Sequence, residues 1–237
     1  MTLPGTPNPP GSKLTYLPFI LTFLFMLSMG VLFLPMDGDT TILQVLTSPL
    51  KLNSAQTWWY ICRASGLTAF LLLWLSNVWG FIVGTRMFTS LISSYASVAF
   101  HELLSILALL FVAVHAGMLL LDHTVPFTLR EIFVPFVSFY KPAWVGLGII
   151  GLYISLLVTI TFYIRRWISW GVFRVIHVFS LLTYFLVLIH GFFAGTDSGL
   201  VSVLWMYAVT FLVMMFFLVY WGYLVLNGEP GTADEQV

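Results

Sequence analysis

The fold of this chain is decided by two long apolar stretches, His101-ELLSILALLFVAV-His115 and His177-VFSLLTYFLVLI-His190. Each stretch is long and apolar enough to form a membrane-spanning helix. The histidines are 14 residues apart in the first and 13 in the second, which on a helix separates two imidazoles by about 20 Å. Ionisable side chains inside a bilayer are expensive and indicate a functional site.

The composition indicates that lipid is the solvent of this protein. Of its 237 residues, 60% are hydrophobic, and only 9 are basic and 9 acidic, with a mean hydropathy of +1.01. So few charges do not cover a soluble surface. They also form no basic patch for phosphates, so we expect no nucleic-acid partner. The single cysteine, Cys62, excludes an internal disulfide and covalent haem attachment through C-x-x-C-H.

Six segments reach the length of about 20 apolar residues that a spanning helix needs. They are 17–35, 58–84, 98–121, 143–164, 173–194 and 201–226. The sequence therefore predicts an all-α membrane protein, a six-transmembrane-helix bundle over residues 17–226. We expect a disordered tail at 1–16 and a short polar tail at 227–237. The tail at 1–16 lacks the basic start of a signal peptide, so we interpret 17–35 as a retained span and not as a cleaved signal peptide.

The distribution of basic residues predicts the orientation of the bundle. One set of loop and helix-end positions carries Arg86, Arg165, Arg166 and Arg174. The opposite loops carry Lys51, Arg130 and Lys141, offset by acidic residues. Basic residues favour the cytoplasmic side. The pattern predicts a multi-pass protein of the cell (plasma) membrane with both termini in the cytoplasm.

The four histidines fall at two matched depths of the predicted bundle. Segments 98–121 and 173–194 run in the same direction, with His101 and His177 near their starts and His115 and His190 each at the eighteenth residue. A haem bound through two imidazoles needs them at one depth on facing helices. We therefore predict two stacked b-type haems. The alternative is that each histidine is a hydrogen-bonded core or interfacial residue. Zinc or copper would need ligands that converge on one point, and the separation of about 20 Å along each helix forbids this for all four histidines.

The two spacings differ in the helix face that they select. At 100° per residue, a spacing of 14 returns to within about 40° of the starting face, whereas a spacing of 13 leaves about 140° of divergence. We therefore expect the helix at 173–194 to be tilted, bent or rotated relative to the haem planes.

Two arginines lie at the predicted depths of the haems. Arg63 is expected near His115 and His190, and Arg174 lies three residues before His177. A guanidinium in a low-dielectric site is a good partner for a haem propionate. The alternative for Arg174 is that it extends to the membrane interface, and for Arg63 that its role is structural.

From Trp58 onward the chain resembles the ferric reductase-like transmembrane domain family, which is shared by ferric reductases, NADPH oxidases and a bacterial sulfoxide-reductase haem subunit. The resemblance covers about residues 55–225. Its matching residues are Arg63-Ala-Ser-Gly66-Leu, His101, His115, Phe173-Arg174-Val-Ile-His177 and His190-Gly-Phe-Phe-Ala-Gly195-Thr-Asp197-Ser. It implies a six-helix bundle in which His101 and His177 hold one b haem and His115 and His190 the other. It also implies electron flow from an inside donor to an outside acceptor.

The chain departs from the oxidases and eukaryotic ferric reductases because it lacks their flavin and nicotinamide module. We expect no flavin or nicotinamide bound within this chain, and a separate donor protein or a quinol. The first hypothesis is the haem subunit of a two-component reductase, an oxidoreductase component. The second is a quinol-oxidising haem subunit that delivers electrons to a separate periplasmic reductase. The third, a proton-coupled transporter, is disfavoured because we detect no inverted repeat and few acidic residues within the spans.

Further residues have two readings each. Tyr184 lies midway between the histidine levels and is either an aromatic between the haems or a packing residue. Asp122, His123 and Asp197 follow the outer histidines and are either an acceptor or proton site or ordinary polar residues at helix ends. Gly146-Leu-Gly148-Ile-Ile-Gly151 matches G-x-G-x-x-G but lacks the βαβ context of a dinucleotide site, so we interpret it as close helix packing.

Overall fold

The computed structural model describes residues 35–37, 40–41, 57–85, 93–122 and 125–227. The tail predicted at 1–16 lies outside the described residues, as do His123 and, except for Pro35, the first predicted span at 17–35. Of the tail predicted at 227–237, only Asn227 is described.

The described residues are helical apart from one small antiparallel ribbon, β1 (Pro35–Asp37) with β2 (Thr40–Thr41). The helices are α1 (Thr57–Gly84), α2 (Ser94–Leu121), α3 (Leu129–Phe133), α4 (Pro142–Tyr163), α5 (Trp170–Ala194) and α6 (Val201–Leu226), with 3₁₀ turns at Arg165–Trp167 and Asp197–Gly199. All but α3 are long and apolar enough to cross a membrane. The prediction of a multi-pass helical membrane protein is confirmed for five of the six predicted spans.

The long helices form a bundle of two antiparallel pairs. α1 packs along α2, and α4 packs along α5. The pairs join where α1 meets α5 and α2 meets α4, and α6 packs against α1. Indole N–H groups support these contacts, because Trp79 Nε1 donates to the Ser97 carbonyl over 2.9 Å and Trp74 Nε1 to the Thr210 carbonyl over 3.1 Å.

Serine caps set the first residues of two helices. Ser93 Oγ accepts from the Ala96 amide at the start of α2, and Ser169 Oγ accepts from the Val172 amide at the start of α5. Each bond satisfies one amide that a helix leaves unpaired in its first turn. The caps start α2 and α5 earlier than the predicted residues 98 and 173, because a helix extends to its cap while the apolar segment begins later.

The connection at 122–141 joins α2 to α4, and its described part from Val125 onward contains the short helix α3. Thr128 and Glu131 form a reciprocal capping box at α3. At the far end of the connection, Tyr140 Oη donates to the Ala194 carbonyl over 2.9 Å and Lys141 Nζ to the Phe193 carbonyl over 2.8 Å. These side chains satisfy carbonyls that the last turn of α5 leaves unpaired, so they fasten the connection to α5.

Glu131 gives this connection a pH dependence. Hydrogen bonds from the Thr128 side chain, the Thr128 amide and the Phe139 amide lower the pKa of the Glu131 carboxyl below its usual value. A lowered folded-state pKa stabilises the folded connection above the ordinary carboxyl pKa, and the contribution is lost as the pH falls through the lowered value.

We therefore expect Glu131→Gln to exchange the amide hydrogens of Thr128 and Phe139 faster at neutral pH, and to remove the acid-induced loosening of 128–139. Hydrogen exchange read by mass spectrometry against pH measures both effects. Arg130→Lys keeps the neighbouring charge and serves as the matched control. Equal acid-dependent exchange in the wild type and in Glu131→Gln would contradict the role of this carboxylate.

Candidate functional site

The four membrane histidines meet as two facing pairs. His101 of α2 lies against His177 of α5, with ring centroids 5.8 Å apart and ring planes at 68°. His115 of α2 lies against His190 of α5, at 6.3 Å and 83°. The pairs are 14 residues apart on α2, which is about 21 Å along the helix axis. The structure therefore brings all four residues together at the two levels that the sequence predicts.

Three of the four imidazoles donate a hydrogen bond to a backbone carbonyl. His101 Nδ1 donates to the Ser76 carbonyl over 3.0 Å, His115 Nδ1 to the Cys62 carbonyl over 2.8 Å, and His190 Nδ1 to the Trp144 carbonyl over 2.9 Å. A carbonyl can only accept, so Nδ1 carries the proton. In a neutral imidazole this leaves the Nε2 lone pair available as a ligand.

A glycine lies beside each of these three rings, four residues after the carbonyl that the ring uses. A Cβ on Gly66 would lie 2.8 Å from His115 Nδ1, one on Gly148 would lie 2.7 Å from His190 Nδ1, and one on Gly80 would lie 3.3 Å from His101 Cε1. The missing side chain lets the ring approach the neighbouring helix closely enough to reach the carbonyl. We call this pairing of a glycine with the carbonyl four residues earlier an imidazole socket.

The helix period explains where the sockets occur. Gly66 and Gly80 are 14 residues apart on α1, the same spacing as His101 and His115 on α2. A spacing of 14 keeps residues near one helix face, so both histidines of α2 meet sockets on α1.

His177 has no socket. Its Nδ1 is buried and has no hydrogen-bond partner among the described residues. Its ring instead stacks on Phe173 of the same helix, with centroids 5.2 Å apart and planes at 28°. Stacking restrains the ring plane but does not pair the N–H group.

One continuous cavity of about 250 Å³ connects the two pairs. All four histidines line it, and its walls are mostly apolar, with contributions from Phe70, Leu109, Val112, Ile149, Leu152 and Val187. Such a cavity, with a few polar groups at fixed places, is typical of a cofactor site.

Arg63 and Asp197 form an ion pair where the cavity approaches the 122–141 connection. Arg63 Nε donates to Asp197 Oδ2 over 2.6 Å, and a guanidinium nitrogen contacts the other carboxylate oxygen. Both residues line the cavity. Arg63 is at the predicted level, and its partner in the structure is Asp197. The two residues thus act as one unit that links α1 to the turn after α5.

The remaining predicted residues lie away from the cavity lining. Arg174 is exposed on α5, as expected of a residue that extends to the interface. Tyr184 is fully buried in an apolar cluster with Phe70 and Met214, which corresponds to its packing alternative. Asp122 is buried at the end of α2, where its carboxylate accepts from the Val125 amide over 3.3 Å.

The glycines of the G-x-G-x-x-G match lie inside α4, not at a strand–helix turn. Gly148 contacts His190, and a Cβ on Gly151 would lie 3.0 Å from Val187. The match therefore marks close packing of α4 on α5, as the sequence predicts.

The sockets are the functional feature that the sequence analysis missed. The sequence gives no role to Gly80 or to the carbonyls of Cys62, Ser76 and Trp144. It places Gly66 only within a motif and Gly148 only in close helix packing. The shared spacing of 14 between two glycines and two histidines on adjacent spans was a usable signal. The carbonyls carry no side-chain signature and could not be found from sequence.

Comparison with known proteins gives no match to this chain among family models, curated proteins or solved structures.

Replacing a socket glycine by alanine should displace the ring that rests on it. We expect Gly66→Ala and Gly148→Ala to lower the thermal unfolding temperature of the purified protein, because the new Cβ would lie within 2.8 Å of an imidazole. Gly80→Ala should have a smaller effect, since its closest contact is 3.3 Å. Gly117→Ala is the control, because nothing lies within 4 Å of its Cβ. Equal effects at Gly117 and Gly148 would contradict the socket.

The Arg63–Asp197 pair should show strong thermodynamic coupling. Arg63→Ala leaves a largely buried carboxylate without its guanidinium, and we expect a loss of about 1.5–3 kcal/mol in unfolding free energy, as for hydrogen bonds to charged groups. Asp197→Asn should lose less, and Arg63→Ala with Asp197→Ala should lose less than the sum of the single variants. Chemical unfolding in detergent measures the cycle, and additive losses would show that the pair is not coupled.

Proposed function

We propose that this protein transfers electrons across a membrane through two b haems, as the haem subunit of a ferric-reductase-like system. His101 and His177 would hold one haem, and His115 and His190 the other. The observation that carries the proposal is the pair of facing imidazole pairs within one cavity. Ordinary core histidines have no reason to repeat this arrangement at two levels.

The separation of the rings fits two axial ligands on one metal ion. A metal–imidazole nitrogen bond is about 2.0–2.1 Å, and the ring centroid lies about 1.1 Å beyond the nitrogen. Two axial imidazoles would then have centroids about 6.3 Å apart, and the observed values are 5.8 and 6.3 Å. The described residues contain no group of three or more metal-binding side chains. A haem needs only two from the protein.

The hydrogen bonds of the histidines support the same assignment. Metal-ligating histidines characteristically donate their other ring N–H to a carbonyl or carboxylate, which fixes the tautomer and orients the ring. His101, His115 and His190 do so through Nδ1. These hydrogen bonds orient the three rings and leave each Nε2 as the atom that can bind a metal.

The chemistry that a bound haem supplies is one-electron exchange. The protein holds the two sites about 21 Å apart along α2, which brings them near opposite faces of a hydrocarbon core of about 30 Å. The side chains that line the space between them are mostly apolar. Arg63, at the His115–His190 level, adds positive charge that is partly balanced by Asp197.

The direction of transfer follows from the charge of the connections. Arg165 and Arg166 lie between α4 and α5, next to the His101–His177 level. Basic connections favour the cytoplasmic side, so we assign this level to the inner face of the plasma membrane and both termini to the cytoplasm. Electrons would enter here from a separate donor protein and leave to an acceptor on the face of the 122–141 connection.

A quinol is the alternative donor, with delivery to a separate periplasmic reductase. The favouring observation is a hydrogen bond of 2.7 Å from Tyr163 Oη to Glu102 Oε1, next to His101 and on the exposed side of the bundle. Oxidation of a quinol releases protons, and a carboxylate at the lipid-facing rim can accept one. Glu102 is the one acidic residue within the five described spanning helices, which leaves little for a transporter's proton path.

The proposal predicts two b haems per chain in the purified protein, measured by pyridine haemochrome against protein content. We expect His115→Ala or His190→Ala to lose one haem and keep the other, because each change removes one axial ligand of a single site. His123→Ala is the matched control and should retain both. A fully supplemented preparation with no haem would refute the proposal.

Transmembrane transfer is tested in sealed vesicles with trapped ferricyanide and an impermeant reductant outside. We expect the wild type to reduce the trapped ferricyanide and His190→Ala to lose at least tenfold in rate, because electrons stop at the first level. Protease accessibility of the 122–141 connection distinguishes the two orientations of the protein in the vesicle membrane. The quinol alternative is tested by comparing Glu102→Gln with the wild type. A slower rate of ferricyanide reduction with a quinol as donor, together with an unchanged rate with the impermeant reductant, would favour this alternative.

A further inference from the structure

His177 differs from the other three histidines in how it is held. The others each donate Nδ1–H to a carbonyl at 2.8–3.0 Å, whereas the buried Nδ1 of His177 has no acceptor among the described residues. A buried N–H without a partner destabilises the position that it occupies. The contact that restrains the ring is its stacking on Phe173.

The spacing of the histidines on α5 accounts for this difference. α5 is a continuous helix from Trp170 to Ala194. His190 faces α4 and uses the socket at Gly148. Thirteen residues earlier, His177 is turned about 140° from that face, so it does not meet the backbone of α4 in the same way.

A small side cavity of about 30 Å³ lies against this pair. It is lined by both His101 and His177, and its wall joins the apolar Ile106, Val158 and Phe162 to Glu102, Ser105, Thr159 and Tyr163. A cavity needs about 10–15 Å³ to hold one water, so this space accepts a molecule of two heavy atoms and not an imidazole or a larger ring. The acidic Glu102 on its wall disfavours an anion, so the space suits a neutral ligand.

We propose that His177 is an exchangeable ligand, and that a neutral diatomic molecule binds iron at the His101–His177 level in its place. The inference rests on the proposed function, since it needs haem at this level. In the exchange, the bond from iron to His177 Nε2 breaks and a bond from ferrous iron to the diatomic forms. No electron or proton is transferred. The His115–His190 level, with both imidazoles in sockets, stays closed.

The expected preference of the diatomic for the His177 side follows from the hydrogen bonds that hold the other histidines. Loss of the group that orients a metal-bound histidine typically reduces metal affinity about 10–100-fold. We therefore expect a diatomic to displace His177 about 10–100-fold more readily than the histidines of the other pair.

Carbon monoxide is the probe, used on the full-length protein after its haem content has been measured. The dithionite-reduced protein with two haems should bind one carbon monoxide per chain, read from the difference spectrum during titration. Binding of none, or of two with equal affinity, would overturn the proposal. A chain without haem would refute the proposed function and this inference together, so the haem assay separates the two failures.

Two variants identify the level that binds. His177→Ala removes the competing ligand, so it should still bind one carbon monoxide, with at least tenfold higher affinity. Gly148→Ala disturbs the socket of His190 and should raise the stoichiometry to two. Gly117→Ala is the matched control and should behave as the wild type. If Gly148→Ala still binds one carbon monoxide, and binds it more tightly, the open site lies at His115–His190 and the proposal is overturned. This result decides the matter even if His177→Ala does not keep its haem.

Discussion

An imidazole inside a membrane bundle has an N–H group that must find an acceptor, because the surrounding lipid offers none. In this protein the acceptor is a backbone carbonyl that already belongs to a helix. The ring can reach that carbonyl only where the next turn lacks a side chain, and Gly66, Gly80 and Gly148 supply the gap. The close approach of α1 to α2 and of α4 to α5 follows from this requirement. So does the orientation of three of the four Nε2 atoms.

The same requirement separates the two levels chemically. At the His115–His190 level, both rings are held by hydrogen bonds from opposite sides, one from α1 and one from α4. At the His101–His177 level, the part of the chain that the structure describes provides such a bond only from the α1 side. Two sites that look equivalent in sequence, each with one histidine from α2 and one from α5, therefore differ in rigidity. A difference of one residue in spacing along α5 is sufficient to produce it.

The sequence predicts the spanning helices well because their signal is strong: long apolar segments with almost no charge. Five described helices agree with the predicted spans to within a few residues, and the largest errors come from the caps at Ser93 and Ser169, which start their helices before the predicted residues 98 and 173. The facing pairs also follow from sequence, since helix direction and depth can be counted. The ion pair of Arg63 with Asp197 does not, because it joins residues 134 positions apart through tertiary packing.

The sequence of the connection at 122–141 contains a local helix signal that the sequence analysis did not use. Thr128-Leu-Arg-Glu131 is a capping-box pattern, and the structure uses it to start α3. The anchoring of Tyr140 and Lys141 on the last carbonyls of α5 depends on where α5 ends relative to α4. That relation is a property of the assembled bundle.

The placement of two sockets on one face of α1 has a mechanical meaning. Cys62 and Ser76 belong to a single uninterrupted helix, so α1 behaves as a rigid rod with two fixed attachment points. If α1 slides or rotates relative to α2, both attachment points move together, and neither imidazole of α2 can be displaced alone. A force applied at either end of the rod, by bilayer thickness or by a protein bound at that surface, would therefore be felt at both histidine levels at once.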